Sequence, residues 1–123
     1  MDKMMVEMQV SDQRVKDLLT GAMEGGSNYW YMIHEYVYAD GVKKPEFPHI
    51  DLPFIEGCGL LIGDAEDEEA TPNLLNKESL NKGLKIMSEK YPAHFGNFMS
   101  ECDDAETSDV FLQCCLFGEI IFG

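Results

Sequence analysis

Carboxylates are the side chains best placed to do chemistry in this chain, because they come in two stretches free of any base. Residues 45–76 hold eight Asp or Glu and residues 91–123 hold six, and neither contains Lys or Arg. Within them, Asp64, Glu66, Asp67, Glu68 and Glu69 fall in six positions, and Glu101, Asp103, Asp104, Glu106 and Asp109 fall in nine. Carboxylates spread over a surface can imitate nucleic-acid phosphates and occupy a Lys/Arg-lined groove. Such contacts form fast and are screened by salt beyond ~8 Å at physiological ionic strength. The same runs also serve simply as solvated surface. No spacing selects a general acid and base from among them. Asp64-x-Glu66-x-Glu68 alternates as a calcium loop does, but Glu69 stands where such a loop needs Gly.

Other chemistries have weaker support. His34, His49, His94, Cys58 and Cys102 could ligate a metal, yet none has zinc-finger or zinc-ribbon spacing. A zinc site assembled by the fold would draw on His49 and Cys58. Gly57-Cys58-Gly59-Leu60-Leu61-Ile62-Gly63 lacks the G-x-G-x-x-G spacing and runs into acids where phosphates would sit. No G-x-S-x-G or papain-like cysteine context is present, so the chain reads as a non-enzyme without a resident cofactor. A site for a nucleotide signal would need cations, and the chain has one arginine, Arg14. Tyr29, Trp30, Tyr31, Tyr36 and Tyr38 suit one face of a strand, with Trp30 a possible apolar anchor for a protein partner.

The elements that must position these groups follow from periodicity. Residues 1–9 read as a flexible, Met-rich lead-in and residues 10–123 as one domain. Ser11 caps a first helix whose Val15, Leu18, Leu19, Ala22 and Met23 make one buried face. Gly25-Gly26 ends it through a left-handed turn. Residues 29–38 read as a strand, Asp40-Gly41 as a turn, and 43–53, with three prolines, as an irregular connection. A second strand is expected near Cys58–Ile62, followed by an exposed acidic loop over 64–72. Asn76 starts a second helix with Leu80, Leu84, Met87 and Tyr91 inward, and Gly83 on that face predicts a close helix contact. A short helical segment is expected over 94–99. A third full helix is predicted over 105–117, capped by Asp103 or Asp104 and stopped by Gly118. Ile120–Phe122 reads as an edge strand. The fold class is α+β, with about three helices on a small, mainly antiparallel sheet. No apolar run reaches the ~20 residues of a membrane span, and the N-terminus lacks a signal peptide's apolar centre, so a cytoplasmic protein is expected. The four cysteines then read as small core residues rather than disulfides.

Two segments carry a resemblance. Leu18–Trp30, ending Glu24-Gly25-Gly26-Ser27-Asn28-Tyr29-Trp30, and Thr107–Gly123, with Asp109, Gln113, Leu116-Phe117-Gly118-Glu119 and Gly123, resemble a family of short phage and prophage proteins. Its pattern is similar to E-G-G-x-x-Y-W followed by D-x-x-x-Q-x-x-L-F-G-E-x-x-x-G. Asp64-Ala65-Glu66 and Leu80-x-x-Gly83-Leu84 are similar as well. The resemblance implies a phage-type origin and carries over no catalytic residue. Short acidic phage proteins include inhibitors of host defence, anti-CRISPR proteins among them. The expectation is therefore an acidic inhibitor that blocks a basic nucleic-acid-binding surface on a host protein such as a CRISPR effector, acting as a nucleic-acid mimic and not as a nucleic-acid binder. Its charge would come from Asp64, Glu66, Asp67, Glu68, Glu69, Asp103, Asp104, Glu106 and Asp109. The alternatives are a binder of a nucleotide signal and a zinc-stabilised interaction protein.

Overall fold

The computed structural model describes residues 3–4, 6–42 and 49–123. Ser11 opens helix α1 (Asp12–Gly21) by accepting from the backbone N–H of Arg14 at 3.2 Å. The helix then widens into one π-helical turn, Ala22–Gly26, rather than stopping. Gly25 and Gly26 do not adopt positive φ. Gly26 is there for space: a Cβ on it would stand 2.1 Å from the carbonyl oxygen of Ala105. The expected left-handed stop is thus replaced by a close approach of two backbones.

Three antiparallel strands follow in the order β1 (Tyr31–Val37), β2 (Gly59–Asp64), β3 (Asn73–Leu75). Tyr29 and Trp30, expected in the first strand, lie in the turn before it. Register runs from Tyr31 opposite Asp64 to Val37 opposite Gly59, with a shift between Ile33 and Glu35 that bulges His34 out of the ladder. The turn at Asp40-Gly41 is present, with Gly41 at φ 84°. Of the proline-rich connection, 43–48 lie outside the described residues, and His49–Phe54 form a short 3-10 helix.

Helix α2 (Lys77–Lys90) begins where the sequence places it, at Asn76. Asn76 Oδ1 accepts from the Ser79 N–H at 2.9 Å, and Ser79 Oγ in turn accepts from the Asn76 N–H. Four lysines, Lys77, Lys82, Lys85 and Lys90, ride on this helix and are exposed. Helix α3 (Pro92–Met99) starts two residues earlier than the periodicity suggests, with Pro92 in its first turn. Helix α4 (Ala105–Phe117) matches its predicted bounds. Asp104 is its cap, accepting from the Thr107 N–H at 2.9 Å, and Gly118 ends it at φ 77°. The fold is α+β, with more helical elements than the three expected.

The core gathers one face of the sheet against the helices. Leu60, Ile62 and Leu75 of the sheet are buried together with Leu18, Leu19, Met87, Phe98, Phe111 and Leu112. Alpha-4 lies at the centre, with every residue from Thr107 to Cys115 buried. Cys58, Cys114 and Cys115 are buried free thiols, and Cys102 is an exposed one. Burial raises the Cys115 thiol well above its ordinary range and pushes Cys114 up to about 11, so both stay protonated packing groups at neutral pH.

Gly83 lets α2 settle on α4. A Cβ there would stand 2.2 Å from Cys115 Sγ and 2.9 Å from the Cys115 backbone. Because backbone cannot be displaced as a side-chain tip can, Gly83→Ala should cost about 1–3 kcal/mol as overpacking. Denaturant titration checks this, and the paired Cys115→Ala change should recover only part of the loss.

Candidate functional site

The segments 18–30 and 107–123 meet in space, around one buried carboxylate. Asp109, on the second turn of α4, is 8% exposed. Its Oδ1 accepts from Ser27 Oγ and from Trp30 Nε1, each at 2.7 Å, and its Oδ2 accepts from Tyr29 OH at 2.6 Å. Ser27 and Trp30 are buried as well. Four residues on, Gln113 is fully buried and does the same service for the C-terminal segment. Its Oε1 accepts from the N–H groups of Ile121 and Phe122 at 2.8 Å, and its Nε2 donates to the Phe122 carbonyl at 3.2 Å. Phe122 then stacks on Trp30, with centroids 4.9 Å apart and planes 8° from parallel. The segment Ile120–Phe122 is therefore not the edge strand its composition suggests: side chains, the Gln113 amide for Ile121 and Phe122 and the Tyr91 hydroxyl for the Ile120 N–H, take its backbone groups in place of a neighbouring strand.

This geometry corrects two expectations. Trp30, 2% exposed, is a core residue and not an apolar anchor for a partner. Asp109 spends its charge inside the protein and adds nothing to an acidic surface. A signal for both was present. Asp109 and Gln113 are polar residues spaced i, i+4 in an apolar helix, and buried polar groups require partners. Tyr, Trp and Ser donors stood in the companion motif.

The remaining acids divide. Asp103 pairs with Arg14 at 3.5 Å. Asp104 caps α4, and the Thr107 N–H it receives holds its carboxyl below the usual range. Glu66, Asp67, Glu68, Glu69, Asp104 and Glu106 are exposed, and among the described residues none pairs with a base. The loop after β2, which holds Glu66 to Glu69, is braced. Asp64 Oδ1 accepts from the Glu66 N–H at 2.8 Å, and Asp67 Oδ1 from the Glu69 N–H at 3.1 Å. Its entry is fixed to the aromatic turn by the Ala65 N–H, which donates to the Trp30 carbonyl at 2.7 Å. On the other side of that turn, Gly26 abuts Ala105 at the start of α4. Both acid-only blocks thus flank the same five residues, 26–30.

The sites expected to hold ligands are differently built. Arg14 lies 4.5 Å over the Phe98 ring and donates to the Phe98 carbonyl as well as to Asp103, so the one guanidinium is engaged within the fold. His49 sets its ring edge-on to Tyr36, and buried Cys58 accepts from the Ala39 N–H at 3.3 Å. Among the described residues no group of three or more His, Cys, Asp or Glu converges as a metal site would, and no helix is long and apolar enough to cross a membrane. No protein-family profile, curated protein or solved structure matches the chain.

Asp109→Ala would leave three donors without their acceptor, two of them, on Ser27 and Trp30, buried, and at about 1–3 kcal/mol for each buried unsatisfied group the loss should be about 2 kcal/mol or more. Asp109→Asn keeps one carbonyl oxygen and should lose less. Denaturant melts with tryptophan fluorescence read both, since Trp30 is the single tryptophan.

Burial first, then the bond to Asp109 and its charge, push the Tyr29 phenol up from 10.0 to about 12. A group whose folded value is raised stabilises the fold fully below its unfolded value and loses that contribution as pH climbs through the folded one. Stability should therefore fall between pH 10 and about pH 12. Tyr29→Phe should flatten that part of the profile, and phenolate absorbance titration should lose its highest transition.

Proposed function

We propose that the protein is a non-enzymatic acidic inhibitor of phage type, anti-CRISPR-like, which covers a Lys/Arg-rich nucleic-acid-binding surface on a host protein. The carrying observation is that two acid-only blocks flank one rigid turn, with Glu66, Asp67, Glu68, Glu69, Asp104 and Glu106 exposed and without basic counter-ions among the described residues. Held charges act on a partner at less entropic cost than charges on a floppy loop, and the two Asx turns and the Trp30–Ala65 bond hold these. The cations beside the aromatic core are used internally: Arg14 on Phe98 and Asp103, Lys16 on Asp51 at 2.7 Å. At a net charge of −14 the outside is predominantly negative even with the exposed lysines of α2, a field that attracts cationic grooves and repels nucleic acid and anionic membranes. The working place of such a protein is the cytoplasm of the infected cell, and it needs no cofactor.

The test is competition. The protein should displace DNA or RNA from a nucleic-acid-binding host effector, a CRISPR complex among those assayed, and should lose potency as salt rises. The triple change Glu66→Lys, Glu68→Lys, Glu69→Lys leaves the bracing Asp64 and Asp67 in place. It should reduce displacement at least tenfold and flatten the salt dependence. Undiminished displacement by the triple variant would rule the electrostatic reading out.

A further inference from the structure

The sheet has a second face, whose side chains stand outside the core cluster among the described residues. Side chains alternate across a pleated strand, so Leu60, Ile62 and Leu75 point to the core while Leu61 and Leu74, paired in register, point away. Met32 opposite Gly63, Glu35 opposite Leu61, and Val37 opposite Gly59 complete that outer face. Met32, Val37, Leu61 and Leu74 take no part in the core cluster, whereas their neighbours Tyr31 and Ile33 do. Leu74 is 42% exposed and reaches toward Gly59: a Cβ there would lie 3.1 Å from its Cδ1. With glycine at two of its positions the face is shallow and apolar, able to receive a convex element laid across it.

Carboxylates border it at both ends. A depression of about 230 Å³ joins Met32 and Gly63 to Asp64, Asp67, Glu68 and His34. At the other end a depression of about 450 Å³ joins Val37 and Leu74 to Glu56 and Glu78. Lys77 lies there too, and it is paired with Asp12 at 3.3 Å. Glu35 stands exposed in the middle, with no basic partner among the described residues.

We infer that this outer sheet face is the docking surface for an amphipathic, Lys/Arg-bearing helical segment of the partner, its apolar side on Met32, Leu61 and Leu74 and its cations on the bordering carboxylates. Charge complementarity selects the occupant. A second copy of this chain, at net charge −14, would bring like charges to the same rim, and so would an anionic lipid surface. The apolar contact gives short-range grip where the acids give approach, and Leu61, Leu74 and Met32 take the anchoring part that buried Trp30 does not. The inference rests on the proposed function and adds to it the surface and the form of the partner's contact.

Two synthetic helical peptides of identical Leu/Lys composition test it. In one the leucines share a face; in the other they are scattered. Affinity is measured for the intact protein, and the contact is mapped by amide chemical shifts. The amphipathic peptide should bind at least tenfold tighter, shift residues of β1, β2 and β3, and lose at least fivefold on Leu74→Ser or Met32→Ser. Leu74→Ser alters an exposed side chain and leaves the core intact, so lost binding there is not lost folding. Equal affinity for the two peptides, with shifts confined to 65–69, overturns the sheet-face inference and leaves the acidic reading standing. Binding of neither peptide overturns both. A dimer of the protein alone, its dilution shifts falling on this same face, also overturns the inference, because the face would then be covered by a second copy.

Discussion

A single buried carboxylate organises the molecule. Asp109 sits on the second turn of the core helix with no ion pair among the described residues, and it is tolerable there because three neutral donors converge on it. Removing such a group from water costs several kcal/mol unless hydrogen bonds replace its hydration, and charge-assisted bonds at 2.6–2.7 Å do so. The donors come from a turn about 80 positions earlier in the chain. The bond therefore fixes the helix against the turn, the turn against β1, and the Trp30 ring in place as a platform for Phe117 and Phe122. Gln113 repeats the device one helical turn on. What segments 18–30 and 107–123 share is thus a clasp, built from a polar stripe on one helix and donors on a turn.

The clasp also explains how the acidic loop comes to be held. Trp30 offers its indole N–H to Asp109 and its carbonyl to Ala65, so one residue connects the centre of the core to the entry of the charged loop. The outward-facing acids owe their placement to the inward-facing one. Charge number alone would not have distinguished them: Asp109 and Glu106 are three residues apart, one closed within the protein and the other open to solvent.

How much of this was legible in the sequence depended on whether the deciding interaction was local. Helix ends are set by side chains within three or four residues, and Asn76, Asp104, Gly118 and Ser11 mark them as expected. The close contact at Gly83 was readable because a glycine on an apolar helical face has few other uses. Three features were not readable for the opposite reason. Strand β3 is three residues long and follows Pro72, and only pairing with β2 makes it a strand. Ile120–Phe122 has the composition of a strand and lacks a partner edge. Gly26 looked like a helix stop because the approach of Ala105, 79 positions away, is invisible in the local run. The acidic blocks were legible as charge, but their shared attachment to residues 26–30 was a property of the fold.

The bulge in β1 has a consequence for crowded conditions. A strand at the rim of a sheet exposes a row of backbone donors and acceptors that another chain can extend, and an adjoining apolar face makes the hazard worse. Between Ile33 and Glu35 the ladder slips, so the rim is bent and its hydrogen-bonding groups fall out of line with any straight strand laid beside it. Glu35 follows at once, putting a negative charge where an identical chain would have to bring its own. Irregularity in the rim and the mutual repulsion of Glu35 therefore act against edge-to-edge stacking while Leu74 stays exposed on the sheet.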